Sequence, residues 1–129
     1  MENFNLKNIE MAIEFAQRRC SQSHISYTEL FAASEMQSPQ WYHENGGQRV
    51  ITDFMETFHI ECLKRDLPPF DSFVVNEGGE RAGYPGMGYF KVNGMKDPLS
   101  DKTSDADSRV SLDFQKSERE KIRQWCRSH

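Results

Sequence analysis

The stretch "PPFDSFVVNEGGERAGYPGMGYF", Pro68 to Phe90, decides how this chain is expected to fold. It begins with a proline pair and a short apolar run, passes through a glycine-rich segment and returns to aromatic residues at Tyr89 and Phe90. Two apolar runs around a glycine-rich segment are typical of a β-hairpin, because glycine adopts the backbone angles that tight turns need. We therefore predict antiparallel strands at about residues 70–76 and 87–92, with the glycine segment as a presented tip.

Helices are predicted before this stretch. Apolar residues recur at helical spacing over residues 3–20 and again over residues 48–65. Between these two helices, Ser26 and Glu29 have the spacing of a capping box, which predicts a short helix from Tyr27. A second short helix is predicted from the Ser-Pro pair at 38–39 up to the two glycines at 46–47.

The residues after the hairpin divide into a loop and a helix. Residues 93–109 are polar and rich in turn-forming residues, so we expect a mobile loop. Residues 111–127 are predicted to form a last helix. The predicted order, three to four helices followed by a two-stranded hairpin, is the plan of a winged helix. We expect an α+β, winged-helix-like fold that forms one domain over residues 1–129, a length that suits a single core.

The composition of the chain limits the classes of protein to which it can belong. The apolar runs are too short to span a bilayer and the start lacks the layout of a signal peptide, so we expect a cytoplasmic protein without membrane contact. The three cysteines are widely spaced with no CxxC pair, which argues against a disulfide framework and against a zinc ribbon. Residues 24–95 carry ten acidic and five basic side chains, a net charge of about −5, which disfavours contact with duplex DNA.

Three segments resemble the DNA-binding domain of O6-alkylguanine-DNA alkyltransferases and alkyltransferase-like proteins. They are "ISYTEL" at 25–30, "GGQRVITDFM" at 46–55 and "FVVNEGGERAGYPG" at 73–86. The resemblance implies that Arg49 would match the arginine that enters the base stack. The nucleophile motif of the family, "PCHR" or "PWHR", is absent, because Pro68-Pro69-Phe70-Asp71 stands there. Alkyl transfer is therefore not expected. The chain also resembles small bacterial proteins of no established activity with an "LPPL…VVN…G.PG.GF" segment.

Other chemistries have only weak signals. The glycine segment lacks the Lys-Ser/Thr pair and the following helix of a phosphate-binding loop. Glu56, His59 and Cys62 have metal-ligand spacing on one helix, but no second cluster completes a site, and we interpret Cys62 as a buried core residue. Cys20 lies near basic residues but continues an apolar stripe. We therefore expect no catalytic residue, no metal and no cofactor.

Two functions remain open. The first is a non-enzymatic protein-binding module, a regulatory or accessory protein of bacterial or phage type. It would contact a protein partner through four residues: Arg81, Tyr84, Trp41 and Tyr42. The alternative is a nucleic-acid-binding protein of the alkyltransferase-like type without alkyl transfer. That protein would contact nucleic acid through Arg49, Arg81 and Lys91.

Overall fold

The computed structural model describes residues 3–129, which form a mixed fold of six α-helices, one 3-10 helix and two short strands. The helices are α1 (Leu6–Arg18), α2 (Tyr27–Ala33), α3 (Pro39–Glu44), α4 (Gln48–Lys64), α5 (Met87–Val92) and α6 (Asp105–Ser128). The 3-10 helix spans Phe70–Phe73, and the strands are β1 (Ile25–Ser26) and β2 (Val74–Val75). The α+β expectation is confirmed at this level.

Local capping signals explain where the first helices begin. The Asn5 side chain accepts from the Asn8 backbone at the start of α1, and the Asn8 side chain accepts in return. Ser26 and Glu29 form the predicted capping box of α2. Ser38 caps α3, which has proline at its first position. Each of these caps satisfies backbone N–H groups that have no partner within the helix.

The predicted hairpin is wrong. Residues 87–92 form helix α5, and β2 pairs with β1 in parallel, with Ile25 opposite Val74. The physical reason is burial on both faces. Every residue from 70 to 75 is buried, whereas a hairpin strand with one open face would alternate buried and exposed residues. Tyr89 and Phe90 are likewise both buried, although neighbours in a strand point to opposite faces. No wing is therefore formed within residues 3–129.

The predicted mobile loop at 93–109 is shorter and better anchored than expected. Helix α6 begins at Asp105, because Ser104 caps it and acidic residues occupy its first turn, where they complement the helix dipole. Lys96 pairs with Asp107 at 3.0 Å, and the Ser111 hydroxyl donates to the Lys96 carbonyl. These contacts attach the loop to α6.

The core is aromatic and is assembled from distant parts of the chain. The fully buried phenylalanines come from α2, α4, the 3-10 helix and α5: Phe31, Phe54, Phe58, Phe70, Phe73 and Phe90. A disulfide joins Cys20, just after α1, to Cys126 near the end of α6. The sequence argued against a disulfide framework, and this one bond was missed because its partners lie 106 residues apart and carry no spacing motif. Within residues 3–129, no helix combines the length and the apolar character needed to cross a bilayer.

Candidate functional site

A cleft of about 260 Å³ lies between α2, α4, the 3-10 helix and the start of α5, and we call it the central cleft. Its walls include apolar side chains from α4 and α5, and its floor includes polar groups. The lining residues are Tyr27, Pro39, His43, Gln48, Ile51, Thr52, Met55, Glu56, Asp71, Asn76, Arg81, Gly86, Met87, Gly88, Tyr89 and Val92. An apolar pocket with a few convergent polar groups is the usual form of a binding site.

Asp71 is the buried acid of this cleft. Only 2% of the residue is exposed. Its Oδ2 atom lies 2.9 Å from Nδ1 of His59 on α4, and its Oδ1 atom is buried without any hydrogen-bond partner. A buried polar atom without a partner costs free energy, so such atoms are uncommon in folded proteins. The unpaired Oδ1 therefore marks a place where a ligand's donor group would be stabilised.

The hydrogen bond between Asp71 and His59 sets the pKa of the pair. The Asp71 carboxylate raises the pKa of His59, and the nearby acids Glu118 and Glu56 add to this effect. Burial raises the pKa of Asp71, while the imidazole opposes that increase. The His59 side chain is 12% exposed and the Asp71 side chain 3%, so we assign the proton of the pair to His59, which water can still solvate. The pair holds a proton more firmly than the unfolded chain does.

Two tyrosine hydroxyls lie beside this acid. The Tyr27 hydroxyl, at the start of α2, accepts a hydrogen bond of 2.8 Å from the Gly86 N–H. Burial raises the pKa of Tyr27 to about 12, so the hydroxyl keeps its proton at neutral pH. The Tyr89 hydroxyl is buried near the Ser72 hydroxyl but forms no hydrogen bond of acceptable geometry with it. The neighbouring Ser72 hydroxyl donates to the Pro69 carbonyl. Burial also raises the pKa of Tyr89.

Arg81 does not point outward as predicted for a presented tip. Its guanidinium forms two hydrogen bonds of 3.0 Å with the Asp97 carboxylate and also donates to the Pro85 carbonyl. Asn76 closes the same segment by donating to the Tyr84 carbonyl. Arg81 therefore ties the glycine segment to the loop before α6. Its pairing with Asp97 lowers the pKa of that carboxyl.

The other predicted contact residues lie outside the central cleft. Trp41 is 44% exposed, whereas Tyr42 beside it is 7% exposed and packs against Phe31 in the core. Tyr84 is half-buried. The Arg49 side chain is 91% exposed at the start of α4, 3.9 Å from Asp53. Lys91 is exposed on α5. The structure thus brings Arg81 to the central cleft, while Trp41, Tyr42 and Arg49 line a second, more open depression of about 740 Å³ beside α3.

The three cysteines are bonded or buried, and His59 on the edge of α4 is paired with Asp71. Cys20 and Cys126 are bonded to each other. Cys62 is fully buried, and burial raises the pKa of its thiol to about 12. Among residues 3–129 no group of three or more His, Cys, Asp or Glu side chains has a geometry suited to a metal ion.

Sequence reasoning missed the polar floor of the cleft. Asp71 lies inside the apolar run "FDSFVV", and a lone acid within a buried run is a signal for a buried carboxylate with a partner. The sequence shows its partner His59 only at metal-ligand spacing from Glu56 and Cys62. The contact between Tyr27 and Gly86 joins residues 59 positions apart, and no local pattern reveals it.

Comparison of the chain with models of known protein families, with curated proteins and with solved structures gives no match. The resemblance to alkyltransferase-like proteins therefore stays a prediction.

Proposed function

We propose that the protein is a non-enzymatic binding module whose central cleft receives one side chain of a protein partner. The observation that carries this proposal is the pair of buried polar atoms without partners, Asp71 Oδ1 and Tyr89 Oη, on two residues that line the cleft. Each costs about 1–3 kcal/mol while it is unsatisfied, and a ligand that hydrogen-bonds to both removes that cost. Hydrogen bonds from a ligand to these two atoms would therefore contribute to the free energy of binding.

The absence of an activated nucleophile among the cleft residues supports binding over catalysis. The lining residues within 3–129 include no cysteine and no serine, the Thr52 hydroxyl forms no hydrogen bond with the lining histidine His43, and the hydroxyl of Tyr27 already accepts from Gly86. The acid Asp71 pairs with His59, but His59 itself does not line the cleft. The lining groups that can act as a base, His43, Glu56 and Asp71, therefore have no activated nucleophile beside them.

The mouth of the cleft suits a protein partner. Met87, at the start of α5, is 64% exposed and lines the cleft. Exposed methionine adapts its shape to a partner and is enriched at protein interfaces. The cleft volume of about 260 Å³ is slightly below the roughly 300–1,000 Å³ of sites for drug-sized molecules, which suits a single inserted side chain.

Only the helices of this chain resemble those of a winged helix. The order α2, α3, α4 leaves the start of α4 exposed, with Arg49 on it. In a winged helix the corresponding helix is the one presented to a partner. The contact surface that we propose is the central cleft at the side of α4, with exposed Trp41 of α3 as a further contact.

A substitution at Gly88 tests the proposal. A Cβ atom built at Gly88 meets nothing within 4 Å, and Gly88 lines the cleft, so Gly88→Leu adds a bulky side chain at the cleft wall without a steric clash. Gly78 has the same open space but lies outside the cleft, which makes Gly78→Leu the matched control. The three proteins are used to capture partners from nuclease-treated host lysate, with quantification by mass spectrometry.

We expect at least one protein that the wild type and Gly78→Leu capture equally and that Gly88→Leu captures at least tenfold less. Each such protein is then purified and titrated against the three forms. Equal capture by Gly88→Leu would contradict the proposal, as would the absence of any protein that binds after purification.

Nucleic-acid binding is the second candidate, and exposed Arg49 is the observation that favours it. Its side chain is 91% exposed and its guanidinium lies 3.9 Å from Asp53, so it is free to contact a phosphate or a base. The net charge of −4 opposes such binding. Fluorescence anisotropy with duplex DNA at low salt separates the candidates. Tight binding that weakens with salt and is lost in Arg49→Ala, but not in Gly88→Leu, would favour nucleic acid.

A further inference from the structure

We propose that the side chain received by the central cleft is an arginine, whose guanidinium bonds to Asp71 and Tyr89. This inference depends on the proposed function and names the chemistry of its ligand.

The floor requires a hydrogen-bond donor. The Oδ2 atom of Asp71 is already engaged by His59 at 2.9 Å, which leaves Oδ1 as a buried acceptor. An ionised carboxylate accepts hydrogen bonds and donates none. The Tyr89 oxygen is a second buried atom that can accept. A guanidinium carries five donors and no acceptor, so one group can serve both atoms.

The charge of the cleft favours a cation. Among the lining residues within 3–129, the acids are Glu56 and Asp71, and Arg81 is the single lysine or arginine. The guanidinium of Arg81 is already neutralised by its paired hydrogen bonds to Asp97. His59 balances Asp71 when it is protonated, and exposed Glu56 then leaves one uncompensated negative charge at the rim. The surrounding body of residues 24–95 carries about −5, which extends the same preference outward.

The walls fit the remainder of an arginine. Ile51, Met55 and Met87 present apolar surface to the cleft, which suits the aliphatic stem of a long basic side chain. The rings of Tyr27 and Tyr89 add aromatic surface, which attracts a guanidinium more readily than an ammonium. Lysine could supply the charge, but a compact ammonium is more strongly hydrated and has fewer donors to share between two acceptors.

Tripeptides provide the probe. Gly-Arg-Gly, Gly-Lys-Gly and Gly-citrulline-Gly are titrated into the isotopically labelled protein and followed by amide shifts in NMR. Citrulline has nearly the shape of arginine without its charge, so it serves as the neutral control. We expect Gly-Arg-Gly to bind with a Kd on the order of millimolar, as suits a small ligand, and to shift amides at the cleft. We expect the lysine peptide to bind more weakly and the citrulline peptide at least tenfold more weakly.

Variants assign the contacts. Asp71→Asn should reduce the affinity for Gly-Arg-Gly at least tenfold, since it removes the charged acceptor. Since Asp71 is buried and this variant could fail to fold, exposed Glu56→Gln provides a second measurement, with a roughly two- to fivefold loss expected from one rim charge. Gly78→Leu should bind like the wild type. Equal binding of the arginine and citrulline peptides, tighter binding of the lysine peptide, or unchanged affinity in both charge variants would overturn the inference.

The failure of this inference is distinguishable from the failure of the proposed function. If Gly-Arg-Gly does not bind while Gly88→Leu still loses a protein partner, the cleft is a binding site for a different side chain and the arginine assignment is wrong. If Gly-Arg-Gly binds equally to Gly88→Leu and to the wild type, the peptide occupies another place and the assignment is wrong as well.

Discussion

At the scale of single residues, the pair formed by Asp71 and His59 couples the stability of the fold to pH. Both members have pKa values raised by the fold, His59 by its hydrogen bond and Asp71 by burial. A raised folded-state pKa means that the folded protein binds the proton more tightly than the unfolded chain. The pair therefore stabilises the fold at low pH and loses that contribution as pH rises.

The first prediction concerns this pH dependence. The free energy of unfolding should fall as pH rises from about 6.5, the ordinary pKa of histidine, through the raised folded-state pKa of His59. Asp71, Glu118 and Glu56 face the imidazole and set this shift. Urea unfolding at a series of pH values measures it. His59→Gln should flatten the slope in this range, while His24→Gln, at an exposed histidine, should keep it. An equally steep slope in His59→Gln would contradict the assignment.

The second prediction compares the two tyrosine hydroxyls. Tyr89→Phe removes a buried hydroxyl without a partner, so stability should be unchanged or increase by up to about 1 kcal/mol. Tyr27→Phe removes the acceptor of the Gly86 N–H and should cost about 0.5–1.5 kcal/mol. Thermal unfolding of both variants tests the difference. A larger loss for Tyr89→Phe would show that its hydroxyl has a partner in the folded protein.

At the scale of elements, the sequence predicts the helix boundaries that are set by residues close together in the chain. The starts of α2 and α3 follow from Ser26, Ser38 and Pro39, because a cap and its helix are neighbours in the chain. The partner of β2 was not predictable in this way. Residues 27–73 connect β1 to β2 and bring the two strands side by side in parallel. A hairpin prediction compares only segments that are adjacent in the chain, so it does not find this pairing.

Helix α5 shows why an apolar run of this length is ambiguous. The run around Tyr89 and Phe90 is too short to reveal a helical or a strand period. Burial of both neighbours against the core decides for a helix, and this burial depends on tertiary contacts that the sequence does not display. The candidate site was missed for the same reason, since its floor joins α2, the 3-10 helix and α5.

The third prediction concerns the contact between the glycine segment and the loop before α6. Arg81→Ala should destabilise the protein by about 1–2 kcal/mol, because it breaks a largely shielded pair and leaves Asp97 unpaired. Arg49→Ala is the control, since its side chain is 91% exposed, and should change stability by less than about 0.5 kcal/mol. Chemical unfolding of both variants gives the comparison. An unchanged stability in Arg81→Ala would mean that this pair does not hold the segment in solution.

At the scale of the whole molecule, the disulfide between Cys20 and Cys126 joins the two ends of the chain. The two cysteines lie 106 residues apart in sequence, so the bond strongly restricts the conformations of the unfolded chain. The fourth prediction is that Cys20→Ala with Cys126→Ala lowers the free energy of unfolding by about 2–4 kcal/mol. Cys62→Ala, which removes a buried free thiol, provides the comparison for core packing. Unfolding with and without reductant measures the effect. A wild type that responds to reductant no more than the double variant would contradict this role.

The charge of the whole molecule has a consequence for binding. With a net charge of −4, association with a basic partner should be faster at low ionic strength, while association with nucleic acid should be opposed. An arginine-bearing protein partner fits this field. The salt dependence of the association rate, measured once a partner is purified, tests whether the charge of the surface around the cleft contributes to association.

The central claim is that the cleft between α2, α4 and α5 is the recognition site. The most direct test is a calorimetric titration of the purified partner against the wild type, Gly88→Leu and Gly78→Leu, with unfolding measured on the same samples. Both substitutions enter open space, so both variants should retain wild-type stability. We predict that the partner binds Gly78→Leu as tightly as the wild type and Gly88→Leu at least tenfold more weakly. Equal Kd values for all three proteins would contradict the assignment of the cleft as the binding site.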